Sequence, residues 1–172
     1  MKLDIDFYTQ DVLEVAPKLV GKLLVRKLKD GQVLKFRITE TEIYRGEEDT
    51  ACHARFGKTE RTKTLYEQGG RAYVYLCYGI HYLFNVVTGP KDYPQAVLIR
   101  GVEGYEGPGK LTKVLKIDGK FNGHDLINSN ELWIEDDGFK PKIKKAKRVG
   151  IDYATKEYRN KLWRFIMVEK KK

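Results

Sequence analysis

Apolar and polar positions alternate along the chain in two rhythms, one helical and one of period two. Residues 9–20 carry Val12, Val15, Ala16 and Leu19 at helical spacing. Thr9 is the expected cap, Asp11 sits in the first turn and Gly21 is the stop. Pro17 falls inside this stretch, where a kink or an end is expected. Residues 22–29 alternate as a strand, Asp30-Gly31 has hairpin-turn chemistry, and residues 32–44 run back as a longer strand. Residues 46–70 are polar and irregular, a loop with room for one helical turn. Residues 71–77 and 82–87 read as a second hairpin with Tyr78-Gly79 at its tip, followed by a strand over 95–102. Gly107-Pro108-Gly109 opens a helix through about Ile117, with Pro108 suited to the first turn. Residues 131–135 and 162–168 are late strands. No repeat is present and no linker is long enough to divide the chain. The expectation is one domain over residues 1–172, of the α+β class.

Charge narrows the partners. Lysine and arginine total 33 against 24 acidic residues, a net charge of +9. Such a surplus suits a polyanion such as nucleic acid, although it also serves solubility. Residues 144–148 and 170–172 are basic clusters. The 172 residues are 41% hydrophobic and so supply a core. The two cysteines, Cys52 and Cys77, show no zinc-type or CxxC spacing, which makes a reducing cytoplasm the simpler compartment. No apolar leader opens the chain and no apolar run reaches membrane-spanning length, so neither secretion nor a membrane partner is expected.

Three groups of residues can carry chemistry. Strict alternation puts Ile38, Glu40, Glu42 and Tyr44 on one strand face. Two carboxylates beside a tyrosine suit a site, while an isolated E-x-E is more often a solvated face. His53 follows the acidic run Glu47-Glu48-Asp49, but Cys52 and His53 are adjacent and poorly placed to chelate together, so no metal is expected. Tyr73, Tyr75, Tyr78, Tyr82 and Phe84 crowd around the hairpin tip. They suit cross-strand packing or a platform for nucleobases. Tyr78, next to Gly79, is placed as a wedge for a DNA groove. Asn85 and Arg100 interrupt apolar strands, where each has a site role or simply satisfies backbone groups.

Glu40-Thr41-Glu42-Ile43-Tyr44, Glu48-Asp49, Ala51-Cys52-His53, Tyr73-Val74-Tyr75 and Tyr78-Gly79-Ile80-His81 stand in a distinctive order. Asn85-Val86-Val87, Val97-Leu98-Ile99-Arg100, Gly107-Pro108-Gly109-Lys110-Leu111, Arg148-Val149-Gly150-Ile151 and Trp163-Arg164-Phe165 follow. This series resembles the 3-methyladenine DNA glycosylase family over nearly the whole chain. The resemblance implies a single mixed domain with a curved antiparallel sheet and a protruding hairpin. It implies a monofunctional glycosylase, acting as a monomer without cofactor on double-stranded DNA that contains damaged purines. Alkylated and deaminated purines are the implied substrates, flipped out of the duplex before hydrolysis. By the same resemblance Glu42 activates the attacking water and Arg100 helps hold it. Tyr44, His53 and Tyr75 enclose the flipped base, Asn85 lies beneath it, and Tyr78 fills the space it leaves. Glu40 is expected to support the site rather than react. A non-catalytic nucleic-acid module, a lyase working through a lysine Schiff base and a nucleoside hydrolase are the rival readings.

Overall fold

A computed structural model describes residues 1–168. Its elements follow in the order α1 (Ile5–Tyr8), α2 (Val12–Leu19), β1 (Leu23–Lys27), β2 (Val33–Arg45), β3 (Ala72–Cys77), β4 (His81–Val87) and β5 (Gln95–Val102). Then come β6 (Tyr105–Glu106), α3 (Pro108–Val114), β7 (Leu132–Glu135), β8 (Lys142–Ala146), α4 (Lys156–Arg159) and β9 (Arg164–Val168). The strands form one antiparallel sheet in the order β3-β4-β5-β2-β1-β7, while β9 also pairs with β2 and β8 with β9. The α+β class, the curved antiparallel sheet and the β3–β4 hairpin agree with the sequence reading.

The long strand β2 organises the sheet. Its first half pairs with β1 and its second half with β9, both on the edge away from β5. Six strands, β3-β4-β5-β2-β9-β8, therefore lie side by side at one end. Their register is continuous. Tyr73, Asn85, Leu98, Glu42, Arg164 and Ala146 are successive cross-strand partners, so their side chains share one face. The row one residue along, Ala72, Val86, Val97 and Ile43, points to the other face. That face carries the main core under α2 and α3, with Val12, Leu19, Phe84, Ile99, Leu111 and Leu115 all buried.

Several expectations need correction. The N-cap of α2 is Asp11, which accepts from Leu13 N–H; Thr9 instead bonds back to the Ile5 carbonyl and ends α1, an element the pattern did not reveal. Pro17 stays inside α2. Its missing N–H affects only the last turn of the helix. The helix after Gly107 is shorter than expected and ends at Val114. Ile38 does not share a face with Glu40, Glu42 and Tyr44. Register shifts between Ile38 and Thr41 break the alternation, turning Ile38 into the core and leaving the other three opposite it. The loop over 46–70 contains two 3₁₀ turns, His53–Phe56 and Lys63–Tyr66. Its Cys52, Ala54, Leu65 and Tyr66 pack on Tyr73, Val87 and Ala96, a second small core over the face opposite the helices. The basic cluster over 144–148 is largely strand β8. The cluster over 170–172 lies outside the described residues. Among the described residues no helix is long and apolar enough to cross a membrane.

Candidate active site

The face that the helices leave uncovered holds a cavity of about 690 Å³. Its walls come from β3, β4 and β5, from the loop around His53 and from residues 149–153. Tyr44, His53, Tyr75, Tyr78, Asn85 and Arg100 all line it. Six of the seven residues singled out from the sequence thus meet in one place. The seventh, Glu42, lies just behind the wall with an exposure of 0%.

Every partner of the Glu42 carboxylate is a cavity residue. The Val149 N–H donates to Oε2 at 2.7 Å, and the Tyr44 hydroxyl donates to Oε1 at 3.0 Å. Arg100 Nη1 reaches Oε1 at the longer distance of 3.5 Å. Burial pushes the Glu42 carboxyl above its usual range, against the opposing pull of Arg100, Val149 N–H and the Tyr44 hydroxyl. Glu40 is set apart by its partners: it accepts from Arg100 Nε at 3.0 Å and meets Arg164 at 3.5 Å. Glu40 therefore anchors the arginine that touches Glu42, in keeping with a supporting place.

The aromatic wall is equally specific. His53 Nδ1 lies 3.0 Å from the Tyr73 hydroxyl, and its ring packs edge-on against Tyr75 with centroids 4.5 Å apart. Burial, with the nearby Arg61 and Arg55 charges, lowers the His53 pKa to about 4. The imidazole is therefore neutral at physiological pH. Asn85 is buried and donates from Nδ2 to the Tyr73 carbonyl at 3.1 Å. It satisfies a backbone group and also lines the cavity.

Tyr78 stands at the mouth with an exposure of 92%. Its backbone φ is 52° and that of Gly79 is 67°, both left-handed as a tight hairpin turn demands. For a bulky residue this conformation costs about 1 kcal/mol. The hairpin is seated by Gly109, where any Cβ would fall 2.8 Å from the His81 ring. A strained, solvent-facing tyrosine beside a cavity is an outlier that points to use.

The methylpurine-DNA glycosylase family matches residues 6–107 and 104–171 of this sequence. A protein of Borrelia garinii subsp. bavariensis is 46% identical, covering 98% of this chain and 97% of its own length. One from Natranaerobius thermophilus is 45% identical over 96% of this chain and 94% of its own. One from Clostridium perfringens is 41% identical over 99% and 98%. All three are assigned as 3-methyladenine DNA glycosylases.

The chain belongs to the methylpurine-DNA glycosylase family.

Within this glycosylase, reasoning from sequence missed the clamp that joins the two halves of the cavity. The Arg148 side chain is fully buried and pairs with Asp49 through two bonds, of 2.8 and 3.1 Å. It also donates to the carbonyls of Ile43 and Tyr158, and its guanidinium carbon lies 5.2 Å from the Tyr44 ring centroid and 5.0 Å from that of Trp163. Asp49 in turn accepts from the N–H groups of Arg45 and Ala51. The acidic run before His53 is thus an anchor: Asp49 ties the His53 loop to the segment whose Val149 N–H holds Glu42. Glu47 is separately occupied by the Tyr66 hydroxyl at 2.9 Å. The motif Arg148-Val149-Gly150-Ile151 was visible in the sequence, but its link to Asp49 spans 99 residues and no local pattern announces it.

Proposed function

We propose that this protein is a monofunctional glycosylase that rotates alkylated or deaminated purines out of duplex DNA and hydrolyses their N-glycosidic bond. The 3-methyladenine, 7-methylguanine, hypoxanthine and ethenoadenine class is the proposed substrate range. The observation that carries the reading is the Glu42 carboxylate, buried at the wall of an aromatic cavity and held on both oxygens.

The target carbon, C1′, is out of reach inside a duplex, so the nucleotide must turn out into the cavity. Tyr44, Tyr75 and the neutral His53 offer flat and edge contacts to a purine. Tyr78 fills the gap in the duplex and offsets part of the unstacking free energy. Glu42 then accepts a proton from water as the oxygen bonds to C1′. The C1′–N bond breaks, and its electron pair leaves with the base. The carboxylate also stabilises the positive charge that develops on the sugar. A purine alkylated on N3 or N7 is already cationic and departs as a neutral base.

Tyr44 and Arg100 close over the carboxylate, so water reaches Oε1 when one of them shifts. Arg100 has the longer contact with Glu42 and a firm anchor on Glu40. On this reading it swings slightly and donates to the water it admits. The test is Glu42→Gln, assayed by single-turnover base release from a duplex with one defined lesion. Excision should fall ~100-fold or more, the typical contribution of a general base, with lesion binding kept. A variant within about twofold of the wild type would overturn the assignment.

A further inference from the structure

We propose that the β8–β9 ribbon is a second DNA contact, on which Lys142 and Lys144 bind backbone phosphates of the duplex flanking the lesion. The inference rests on the DNA-directed function proposed above and adds where the duplex runs.

The cross-strand register carries the argument. Glu40 pairs with Ile166 and Ile166 with Lys144; one step on, Val168 pairs with Lys142. Directly paired residues share a face, so Lys142 and Lys144 lie on the face that bears Glu40, Glu42 and the cavity. Both are exposed. Lys144 is two strands from Glu40, or ~10 Å at ordinary strand spacing. The adjacent Lys145 alternates to the other face, beside Leu13 and Phe165. Arg148 is consumed by Asp49. Two lysines of a dense basic run are thus singled out by the fold.

The placement is complementary to the wedge. β3, which leads to Tyr78, and β8 are opposite edges of the six-strand end, with Glu42 between them. Residues 138–151 contain five lysines and one arginine and no acidic residue. A duplex penetrated by Tyr78 at one edge and opened over Glu42 would meet this positive edge on the far side of the cavity. Polyanionic phosphate is the chemistry such an edge attracts. The bland alternative is that β8 carries lysines to keep an edge strand from pairing with other molecules. That role predicts self-association on their loss and no change in DNA binding.

The experiment compares two double charge reversals in the full chain: Lys142→Glu with Lys144→Glu, and Lys27→Glu with Lys29→Glu. The second pair is also exposed, sits at the β1–β2 turn and changes net charge equally. Affinity for an undamaged duplex is measured across a salt series, with base release from a lesion duplex in parallel. The ribbon variant should lower the log–log salt slope by ~1.8, two phosphate contacts, and weaken binding roughly tenfold at physiological salt. The control should keep the wild-type slope and excision. Equal losses in both variants, or a ribbon variant that matches the wild type, overturn the proposal. Alanine at both ribbon positions gives the same slope comparison if the glutamates disturb folding. A wild type that binds duplex with this ribbon dependence but releases no base would overturn the glycosylase reading alone. A wild type without duplex affinity would overturn both.

Discussion

Adjacent residues on the same strands face two unlike environments. Ala72, Val86, Val97 and Ile43 line up under the helices, all fully covered. The buried polar group among them, Thr41, is satisfied by the Ala16 carbonyl at 2.9 Å. One residue along, Tyr73, Asn85, Leu98 and Glu42 line up on the cavity face. There, burial works on groups that ionise or hydrogen-bond. The first face is stabilised by apolar area and close packing. The second gives up part of that stabilisation to hold a carboxylate and an imidazole in a low-dielectric site. A sheet with period-two alternation supplies both without any extra chain.

The contrast is broken most strongly by one substitution on each face. Phe84→Ala, in the helix-side core, should remove about 3–5 kcal/mol of stability. Denaturant midpoints report it, and excision per folded molecule should stay near wild type. Glu42→Gln should do the reverse. Excision is lost, but the midpoint at neutral pH stays at or above wild type, because burial disfavours the charged carboxyl. A glutamine variant less stable than Phe84→Ala would erase the distinction between the faces.

Titration sharpens it next. The folded pKa of Glu42 is raised, so its stability contribution is full below the ordinary carboxylate value and is lost as pH rises through the folded value. The folded pKa of His53 is lowered from 6.5 to about 4, so its contribution is full above 6.5 and is lost as pH falls through 4. Excision should need the ionised glutamate, with an acid limb above the usual range for a free carboxyl. Single-turnover rates from pH 4 to 8 test this; a limb at the ordinary value of 4.5 would contradict the buried base.

A smaller effect is expected at the hairpin tip. Asparagine tolerates a positive φ better than tyrosine, so Tyr78→Asn should raise stability by several tenths of a kcal/mol. Excision should nevertheless slow, and slow more for a well-paired lesion than for a mispaired one, since the wedge matters where unstacking is hardest. Equal slowing on both substrates would remove the wedge from the account. A last test concerns Asn85→Ser. Guanine differs from adenine and hypoxanthine by an amino group on C2, and on the proposed function a fixed amide near that edge would exclude it by clash. The variant should release guanine opposite thymine where the wild type does not, at a stability loss of about 1 kcal/mol for the bond to the Tyr73 carbonyl. A folded variant with no gain in guanine release would leave Asn85 as a structural residue only.

Local chemistry was enough to place much of this molecule from its sequence. Hairpin turns at Asp30-Gly31 and Tyr78-Gly79, the apolar stripe of α2 and the strands β3, β4 and β5 follow from steric and burial preferences of neighbouring residues. The candidate site residues were legible as motifs in a characteristic order, and six of them converge on one cavity. What needed the tertiary structure depends on distant partners. The bulges around Glu40 arise where β2 meets β5, and they decide that Ile38 points into the core while Glu42 points away from it. The Asp49–Arg148 clamp joins residues far apart in sequence. The Val149 N–H meets Glu42 where β8–β9 pairing and that clamp hold its segment across the sheet. The lysines of β8 read as a uniform basic run until strand pairing divides them between two faces. Propensity acts over a few residues, whereas register, burial and the pKa of a carboxylate are set by whatever chain the fold lays beside it.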